Sequence, residues 1–273
     1  MGVPSRFEIS DELWAEVEPL IPVRPRRRRY PGRRSVPDRL ALNGILHVLH
    51  TGIAWEDLPQ EYGYGSGVTC WRRLRDWQAA GVWDALHQAL LVKLNAAGVI
   101  NWSRAAVDGS HVRALLGGSL TGPSPVDSGR TGSKHHLLVD ASGIPLAVAL
   151  TGGQRNDVTQ LIPLLDDLAA RPVAGKPGRP RHKPDQVLAD RGYDHDKYRR
   201  LLWARGIKPV IARRGQEHGS GLGRQRWVVE RGFAHLHNFR RLRIRYKRHD
   251  EIHEGLLVLA CSILCWRRLQ TSF

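Results

Sequence analysis

The stretch that decides the fold is QVLADRGYDHDKYRR, residues 186–200. Its apolar start, QVLA, predicts a short strand that ends at Asp190, and Gly192 follows where the chain has to turn. Asp194 lies where a helix N-cap belongs, and Asp196 falls in the first turn of the next helix, where a negative charge suits the helix dipole. The stretch therefore predicts a strand, a tight turn and a helix, with Asp190 as the acid left for chemistry.

The segments on either side predict the rest of an α/β fold. Residues 104–107 read as a strand that ends at Asp108, and residues 134–139 and 144–151 read as a hairpin. The remaining predicted elements are helices at residues 157–169, 194–205, 226–238 and 251–269 and a strand at residues 208–212. This order is typical of a mixed sheet in which an antiparallel meander precedes crossover-linked parallel strands, with helices on both faces.

The first hundred residues have a different texture and predict helices only. Ser10 is placed to cap the first helix, and amphipathic runs continue to about residue 94. An Arg- and Pro-rich stretch, residues 24–39, is too polar to build a core and predicts a basic surface arm. We therefore expect a small all-α domain over residues 1–100, followed by an α/β domain over residues 101–273.

The charge of the chain points to a polyanionic partner. There are 42 Lys and Arg against 26 Asp and Glu, which gives a net charge of +16, and the isoelectric point is about 10.6. This balance favours nucleic acid as the partner. A GC-rich genome also enriches Arg without any functional cause, so the charge alone does not decide the function.

The cysteines and the most apolar segment indicate the cellular location of the protein. Three cysteines are too few for a disulfide framework and indicate a reducing, cytoplasmic environment. Cys261 and Cys265 are four residues apart within the apolar run at residues 256–266, and core packing explains them better than metal binding. That run is about half as long as a membrane span and predicts a buried helix. No membrane partner is expected.

Three acids form the candidate catalytic site. Asp108 and Asp190 each follow a predicted strand, so neighbouring parallel strands would bring them side by side at one edge of the sheet. Glu230 falls on the same helical stripe as Trp227 and Phe233, which predicts a buried position. A buried carboxylate needs a partner or a metal. A salt bridge to Arg226 is the alternative to metal binding at Glu230. An oxygen-only site of this kind suits Mg²⁺ or Mn²⁺, and two such ions can promote phosphodiester chemistry.

Several runs in the same order resemble the DDE transposases of bacterial insertion sequences, specifically the large IS five family. They are VDGSHVRA, GSKHHLLVD, LTGGQRNDVTQL, VLADRGYDHDKYRRLL, IKPVIARRG and WVVERGFAHLHNFRRLRIRY, and the N-terminal DELWAEVEPLIP and GIAWEDLPQEYG also match. The resemblance implies an RNase-H-like core with Asp108, Asp190 and Glu230 as the metal-binding triad. It also implies double-stranded DNA as substrate, binding of the element's inverted-repeat ends by the N-terminal domain, and strand cleavage followed by strand transfer.

Two alternatives to an active transposase remain open at the level of sequence. Many relatives have Ser or Thr two residues after the glutamate, whereas this chain has Gly232, and glycine inside a helix costs about 0.5–1 kcal/mol relative to alanine. A catalytically impaired DNA-binding relative is therefore one alternative. A metal nuclease that cuts without strand transfer is the other, because the same three carboxylates would permit it. Joining two element ends implies at least a dimer.

Basic side chains in four regions are the candidate DNA contacts. They are Arg26, Arg27, Arg28 and Arg29 in the arm, Arg72 and Arg73 in a helical run that alternates Arg with aromatic residues, Lys134 and Arg191 near the acids, and Arg240, Arg241, Arg243, Arg245 and Lys247 in a late basic run. Arg155 is a further candidate.

His111, His135 and His136 lie near the predicted sheet edge, but adjacent strand residues point to opposite faces, so at most one of the last two can reach the site.

Overall fold

The computed structural model describes residues 7–24, 29, 34–215, 223–246 and 248–271. The first part of the chain is helical, as predicted. Its helices are α1 (Asp11–Val17), α2 (Asp38–Thr51), α3 (Gly67–Ala79) and α4 (Val82–Ala96). Ser10 caps α1 by accepting a hydrogen bond from the backbone N of Leu13 at 3.3 Å. Ser66 caps α3 in the same way, and Gly81 turns the chain between α3 and α4 with a φ of 74°. Most of the predicted arm, residues 25–28 and 30–33, lies outside the described residues.

A seven-stranded mixed sheet follows. Its strands are β1 (Ala105–Ala114), β2 (Gly122–Pro123), β3 (Thr131–Asp140), β4 (Pro145–Gly152), β5 (Gln186–Ala189), β6 (Lys208–Ile211) and β7 (Ile244–Arg245). The main path runs β4–β3–β1–β5–β6, with β2 beside β3 and β7 beside β1. β3 is antiparallel to both β1 and β4, and β5 is parallel to both β1 and β6. The predicted meander and parallel strands are therefore confirmed, whereas β2 and β7 were not predicted.

The strand predicted to stop at Asp108 does not stop there. β1 continues to Ala114, so Asp108 is its fourth residue. The sequence Gly109-Ser110 suggested a turn, but β3 pairs with β1 from Ala105 to Arg113 and supplies the ladder hydrogen bonds that keep this segment extended. Long-range pairing thus overrides the local turn signal.

The helices around the sheet are α5 (Leu161–Ala170), α6 (Asp196–Ala204), α7 (Gly223–His237) and α8 (Asp250–Gln270). A 3-10 turn over Asp157–Gln160 leads into α5 and is capped by Asn156. The N-cap predicted at Asp194 is wrong, because α6 begins two residues later with His195 at the cap. Asp194 instead forms a salt bridge with Arg199 at 2.6 Å.

One hydrophobic core runs through the helical region and the sheet. α8 passes through it, and both Cys261 and Cys265 are fully buried, as predicted for a core helix. His87 of α4 shows how the two parts join, since its Nε2 lies 2.9 Å from the carbonyl oxygen of Pro145 in β4. None of the described helices has the length and apolar character that crossing a membrane would require.

Candidate active site

Asp108 lies on β1 between the part that pairs with β5 and the part that pairs with β7. β1 pairs with β5 as far as Ala106 and Leu188 and with β7 only from Arg113. Between these two ladders no described strand pairs with β1 on that side, while β3 continues along its other edge. Continuing the β1–β5 register by two residues brings Asp108 level with Asp190, and neighbouring strands are about 4.8 Å apart. The gap between the ladders therefore opens the sheet edge beside both acids.

Asp190 directly follows β5, as the sequence predicted. Its Oδ1 accepts a hydrogen bond from the backbone N of Gly192 at 2.8 Å. This bond caps a 3-10 turn over Arg191–Tyr193, which carries the chain away from the strand end. The capping bond holds the carboxylate at the carboxyl end of β5, beside Asp108.

Glu230 is on the exposed side of α7, so the buried position expected from the sequence is wrong. The Glu230 side chain is 54% exposed. Its spacing from Trp227 was misleading because Trp227 is itself 50% exposed. The buried residues of the helix are Val228, Val229, Gly232, Phe233 and Leu236. Glu230 therefore faces solvent, where it can meet a ligand that approaches from outside.

Arg226 links two of the three carboxylates. Its guanidinium lies 3.1 Å from Oδ2 of Asp108 and 3.3 Å from Oε1 of Glu230. The Arg226 side chain is 17% exposed and that of Asp108 is 22% exposed, so their pair is largely shielded from water. The salt bridge that was the alternative to metal binding at Glu230 is therefore present, and the same guanidinium ties Glu230 to Asp108.

The three acids influence one another electrostatically. The pKa of Asp108 is raised to about 6, mainly by burial, with smaller contributions from the negative charges of Asp190 and Glu230. The hydrogen bond from the N–H of Gly109 and the positive charge of Arg226 act in the opposite direction. A carboxyl group with a raised pKa among other acids at an open sheet edge is typical of a functional site.

Asp157, which the sequence placed only at the start of a helix, brings a fourth carboxylate close to the backbone of Gly109, on the face of β1 away from the Asp108 side chain. A Cβ added at Gly109 would lie 2.6 Å from Oδ1 of Asp157. The Nζ of Lys134 donates to the same oxygen at 3.0 Å, and Nδ1 of His136 is 3.8 Å from it. Glycine is thus required after Asp108 because Asp157 packs against the bare backbone. The sequence signals for this contact were Gly109 in DGS and Asp157 in QRND.

Tyr193 lies close enough to these carboxylates for their charges to act on its hydroxyl. Its side chain is 1% exposed, and its hydroxyl forms no hydrogen bond with the described residues. Burial raises the pKa of Tyr193 well above its usual value, and the charges of Asp108, Asp157 and Asp190 add to that shift. A neutral hydroxyl donor therefore lies beside the acids.

The donor set fits a hard divalent cation in its chemistry. Two aspartates and one glutamate offer only oxygen ligands, which Mg²⁺ and Mn²⁺ prefer. In the side-chain arrangement of the described residues, however, no group of three or more His, Cys, Asp or Glu is close enough to hold a metal ion. Arg226 bridges Asp108 and Glu230 in that arrangement, so a cation shared by these two carboxylates would have to compete with its guanidinium.

The candidate DNA contacts divide into buried and exposed groups. Arg73, Arg241 and Arg245 are buried, and each is engaged by the protein itself: Arg73 with Asp38, Arg241 with the carbonyl oxygens of Gly52 and Ile53, and Arg245 with Ser133 and Leu120. Lys134 is also buried, in its pair with Asp157. These four buried side chains bind other parts of the protein, so we do not propose them as DNA contacts.

The remaining candidates are accessible or lie outside the described residues. Arg29, Arg72, Arg155, Arg240 and Arg243 are exposed, and Arg191 is half-buried beside Asp190. Arg26, Arg27, Arg28 and Lys247 lie outside the described residues. In the chain, Arg29 and Arg72 belong to the helical region, Arg155 lies between Asp108 and Asp190, and Arg240 and Arg243 follow Glu230.

The three candidate histidines occupy different environments. His136 is buried beside Asp157 and bonds to Oγ1 of Thr151 at 2.7 Å. His135 points to the other face, where its Nε2 lies 2.7 Å from Nε2 of His253. His111 is half-buried, and the bare backbone of Gly132 makes room for its ring. Of the strand pair, His136 lies beside Asp157 on the face of β1 away from the Asp108 side chain. The two rings point to opposite faces, as the alternation of strand side chains required.

The chain is similar to known proteins over most of its length. Residues 103–265, more than half of the chain, match the family model "Transposase DDE domain", and residues 9–87 match "Putative transposase of IS4/5 family". The chain is 56% identical to the "Putative transposase for insertion sequence element IS402" of Burkholderia cepacia over 152 residues, which is 56% of this chain and 71% of that protein. It is 62% identical to the "Insertion element IS402 uncharacterized 16.2 kDa protein" of the same organism over 118 residues, 43% of this chain and 80% of that protein. The RNase-H-like sheet, its acids and these matches together establish that the chain belongs to the DDE transposases of the IS4/5 family.

Proposed function

We propose that this protein, as a member of the IS five group, binds the inverted-repeat ends of its own insertion sequence and catalyses metal-dependent strand cleavage and strand transfer. The observation that carries the proposal is the meeting of Asp108, Asp190 and Glu230. They come from two parallel strands and a helix, and the charges of Asp190 and Glu230 both act on Asp108. Residues 1–100 would hold the DNA ends, and residues 101–273 would carry out the reaction.

Each acid has a separate reason to be in the site. Asp108 lies in the gap between the β5 and β7 ladders, Asp190 is fixed by its capping bond at the end of β5, and Glu230 projects from the open side of α7. These three would hold Mg²⁺ or Mn²⁺, in our proposal two ions. When bound, such ions activate the attacking water or 3′-hydroxyl and stabilise the departing oxygen of the phosphodiester.

The neighbouring side chains prepare the acids for this role. Arg226 neutralises part of the charge on Asp108 and Glu230. Because its guanidinium can also bind phosphate oxygens, Arg226 is placed to transfer from the carboxylates to the DNA backbone. The pair of Lys134 and Asp157 supports the strand behind Asp108, so the position of Asp108 does not depend on bound DNA.

The proposed DNA contacts are the accessible basic side chains. They are Arg26, Arg27, Arg28 and Arg29 of the arm, Arg72 of α3, Arg155, Arg191 beside Asp190, and Arg240, Arg243 and Lys247 of the late basic run. Arginine suits phosphate because its planar guanidinium presents paired donors. Synapsis of two element ends would need at least a dimer.

Gly232 suggested the catalytically impaired alternative, but its position gives this glycine a role in packing. Gly232 lies where α7 crosses β3, and a Cβ there would be 2.9 Å from Cδ2 of Leu137. The glycine therefore allows the helix that carries Glu230 to pack closely on the sheet. A nuclease that cuts without joining has the same carboxylates, so only the products of the reaction can separate it from a transposase.

The test is a supercoiled plasmid that carries the element's two ends, incubated with the protein and Mg²⁺ or Mn²⁺. We expect cleaved ends and joined products. Nicks or breaks without joining would favour the nuclease. Binding without cleavage in either metal would overturn the proposed catalysis.

A further inference from the structure

A basic pocket lies at some distance from the three acids, where α7, the C-terminal end of α8 and the β3–β4 turn meet. Its volume is about 350 Å³. Four of its lining residues are basic side chains: Arg231, His235, Arg267 and Arg268. Among the described residues no Asp or Glu lines it. The concentration of positive charge without a lining carboxylate predicts an anionic ligand.

The arginines of the pocket are held in position by the protein. The guanidinium of Arg231 donates to the carbonyl oxygen of Ser142 at 2.5 Å and lies 4.4 Å from the ring centre of Trp227. The guanidinium of Arg267 lies 5.4 Å from the ring centre of Phe239. Neither arginine forms a salt bridge with an acid of the described chain. Their donors are therefore arranged in advance for an external acceptor, which reduces the entropy lost on binding.

The pocket and the acids share one helix. Glu230 and Arg231 are consecutive in α7. His235 lies about 7.5 Å beyond Glu230 along the helix axis, at 1.5 Å per residue. At the sheet, Asp140 at the end of β3 pairs with Ala105, three residues or about 10 Å before Asp108 along β1. The pocket therefore lies roughly 10–20 Å from the acids. Because B-DNA advances 3.4 Å per base pair, this distance corresponds to a few base pairs.

We propose that this pocket binds the phosphodiester backbone of the DNA a few nucleotides away from the phosphate held at Asp108, Asp190 and Glu230. The inference rests on the proposed function, since it takes the DNA at the acids as given. Arg231, Arg267 and Arg268 would contact phosphate oxygens. The exposed outer side of α7, which carries Trp227 and Glu230, would lie along the backbone between the two positions. The contact would fix the direction in which the strand crosses the acids.

The test compares how strongly DNA binding depends on salt. Each phosphate contact contributes about 0.9 to the slope of log Kd against log salt concentration. The double variant R267Q/R268Q should lower that slope by about 1–2 on a random-sequence duplex, with weaker binding at every salt concentration. Because Arg267 packs on Phe239, the single variant R268Q is measured as well, and it should lower the slope by about 1.

The matched control is R205Q. Arg205 is an arginine of the α6 end that pairs with Asp166 of α5 at 3.0 Å, and the turn that leads into α5 packs on the face of β1 away from α7. R205Q removes the same charge and should leave the slope unchanged. If R268Q and R267Q/R268Q keep the slope of the unaltered protein, or if R205Q lowers it equally, the pocket assignment is overturned.

Cleavage by the unaltered protein distinguishes this inference from the function on which it rests. Unaltered protein that cuts the plasmid, together with an unchanged slope in the variants, would overturn the pocket alone. Unaltered protein that neither binds nor cuts DNA would overturn both. A lower slope in the pocket variants with cleavage by the unaltered protein supports both.

Discussion

The guanidinium of Arg226 lies 3.1 Å from Oδ2 of Asp108, joining the fourth residue of α7 to a residue of β1 that is 118 positions earlier in the chain. The same guanidinium pairs with Glu230 at 3.3 Å, so it links the carboxylates of the strand and the helix. The charge of Arg226 also counteracts the burial that raises the pKa of Asp108. The charges of Asp190, Glu230 and Arg226 thus all act on Asp108.

We expect the variants D108N, D190N and E230Q to bind DNA but to lose cleavage. Each loss should be at least about 100-fold, which corresponds to roughly 3 kcal/mol of transition-state stabilisation. The measurement is the initial rate of plasmid cleavage in Mg²⁺ and in Mn²⁺, with DNA affinity determined separately. The control is D196N, because Asp196 belongs to the same stretch as Asp190 but is 80% exposed and pairs with Arg213. A triad variant that cuts at the normal rate would remove that residue from the site.

Gly232→Ala should destabilise the protein although alanine favours helices. The added Cβ would lie 2.9 Å from Leu137 Cδ2 and 3.4 Å from Val139 Cγ1. Overpacking of this kind costs about 1–3 kcal/mol, against a gain of about 1 kcal/mol in helix propensity. Urea unfolding measures the difference. Adding Leu137→Val should recover part of the loss, and equal effects of G232A with and without it would contradict the packing explanation.

The control for that prediction is Gly223→Ala at the start of the same helix. A Cβ at Gly223 meets no described atom within 4 Å. The substitution should therefore leave stability unchanged or raise it by up to about 1 kcal/mol. A loss at Gly223 as large as that at Gly232 would show that α7 resists alanine for a reason other than contact with β3.

Arg240 and Arg241 are neighbours with opposite expected behaviour. Arg241 donates to the carbonyl oxygens of Gly52 and Ile53, both at 3.1 Å, so R241Q should lower the free energy of unfolding by about 1–3 kcal/mol. Arg240 is exposed, so R240Q should change stability by less than about 0.5 kcal/mol and should weaken DNA binding. Thermal unfolding and a DNA titration on both variants check this. Similar stability losses in the two would contradict the division into buried and exposed arginines.

Acid should destabilise the fold through the buried pair of His135 and His253. Burial lowers the pKa of His253 to about 3, from 6.5 for an ordinary histidine, and the pKa of His135 is lowered as well. The unfolded chain therefore binds the proton more readily. The stability that depends on neutral His253 is complete above pH 6.5 and declines as the pH falls toward 3.

The measurement is urea unfolding at pH 7 and pH 5, with H253Q as the variant that cannot take up the proton. Between these pH values the unaltered protein should lose about 2 kcal/mol more than H253Q. Arg241 and Arg245 face the same histidines and keep their charge over this range, so they do not produce the difference. An equal loss in both proteins would show that His253 does not control the acid response.

The sequence by itself determined the α/β class, the order of the helices and of the strands other than β2 and β7, the strand end at Asp190 and the buried helix that contains Cys261 and Cys265. These features depend on local patterns: apolar runs of strand or helix length, caps and turn residues. Such patterns lie within short segments of the chain. They predict the local structure correctly wherever contacts with distant segments do not override it.

Only the tertiary structure decided how the acids are arranged. β3 holds Gly109-Ser110 extended, so Asp108 lies within a strand and not at its end. The close contact of Gly232 with β3 sets the rotation of α7, which leaves Glu230 exposed and brings Arg226 to Asp108. Asp157 reaches the back of the same strand through Gly109. Each of these results depends on residues distant in the chain that become neighbours, and helical or strand periodicity carries no information about which distant segments will meet.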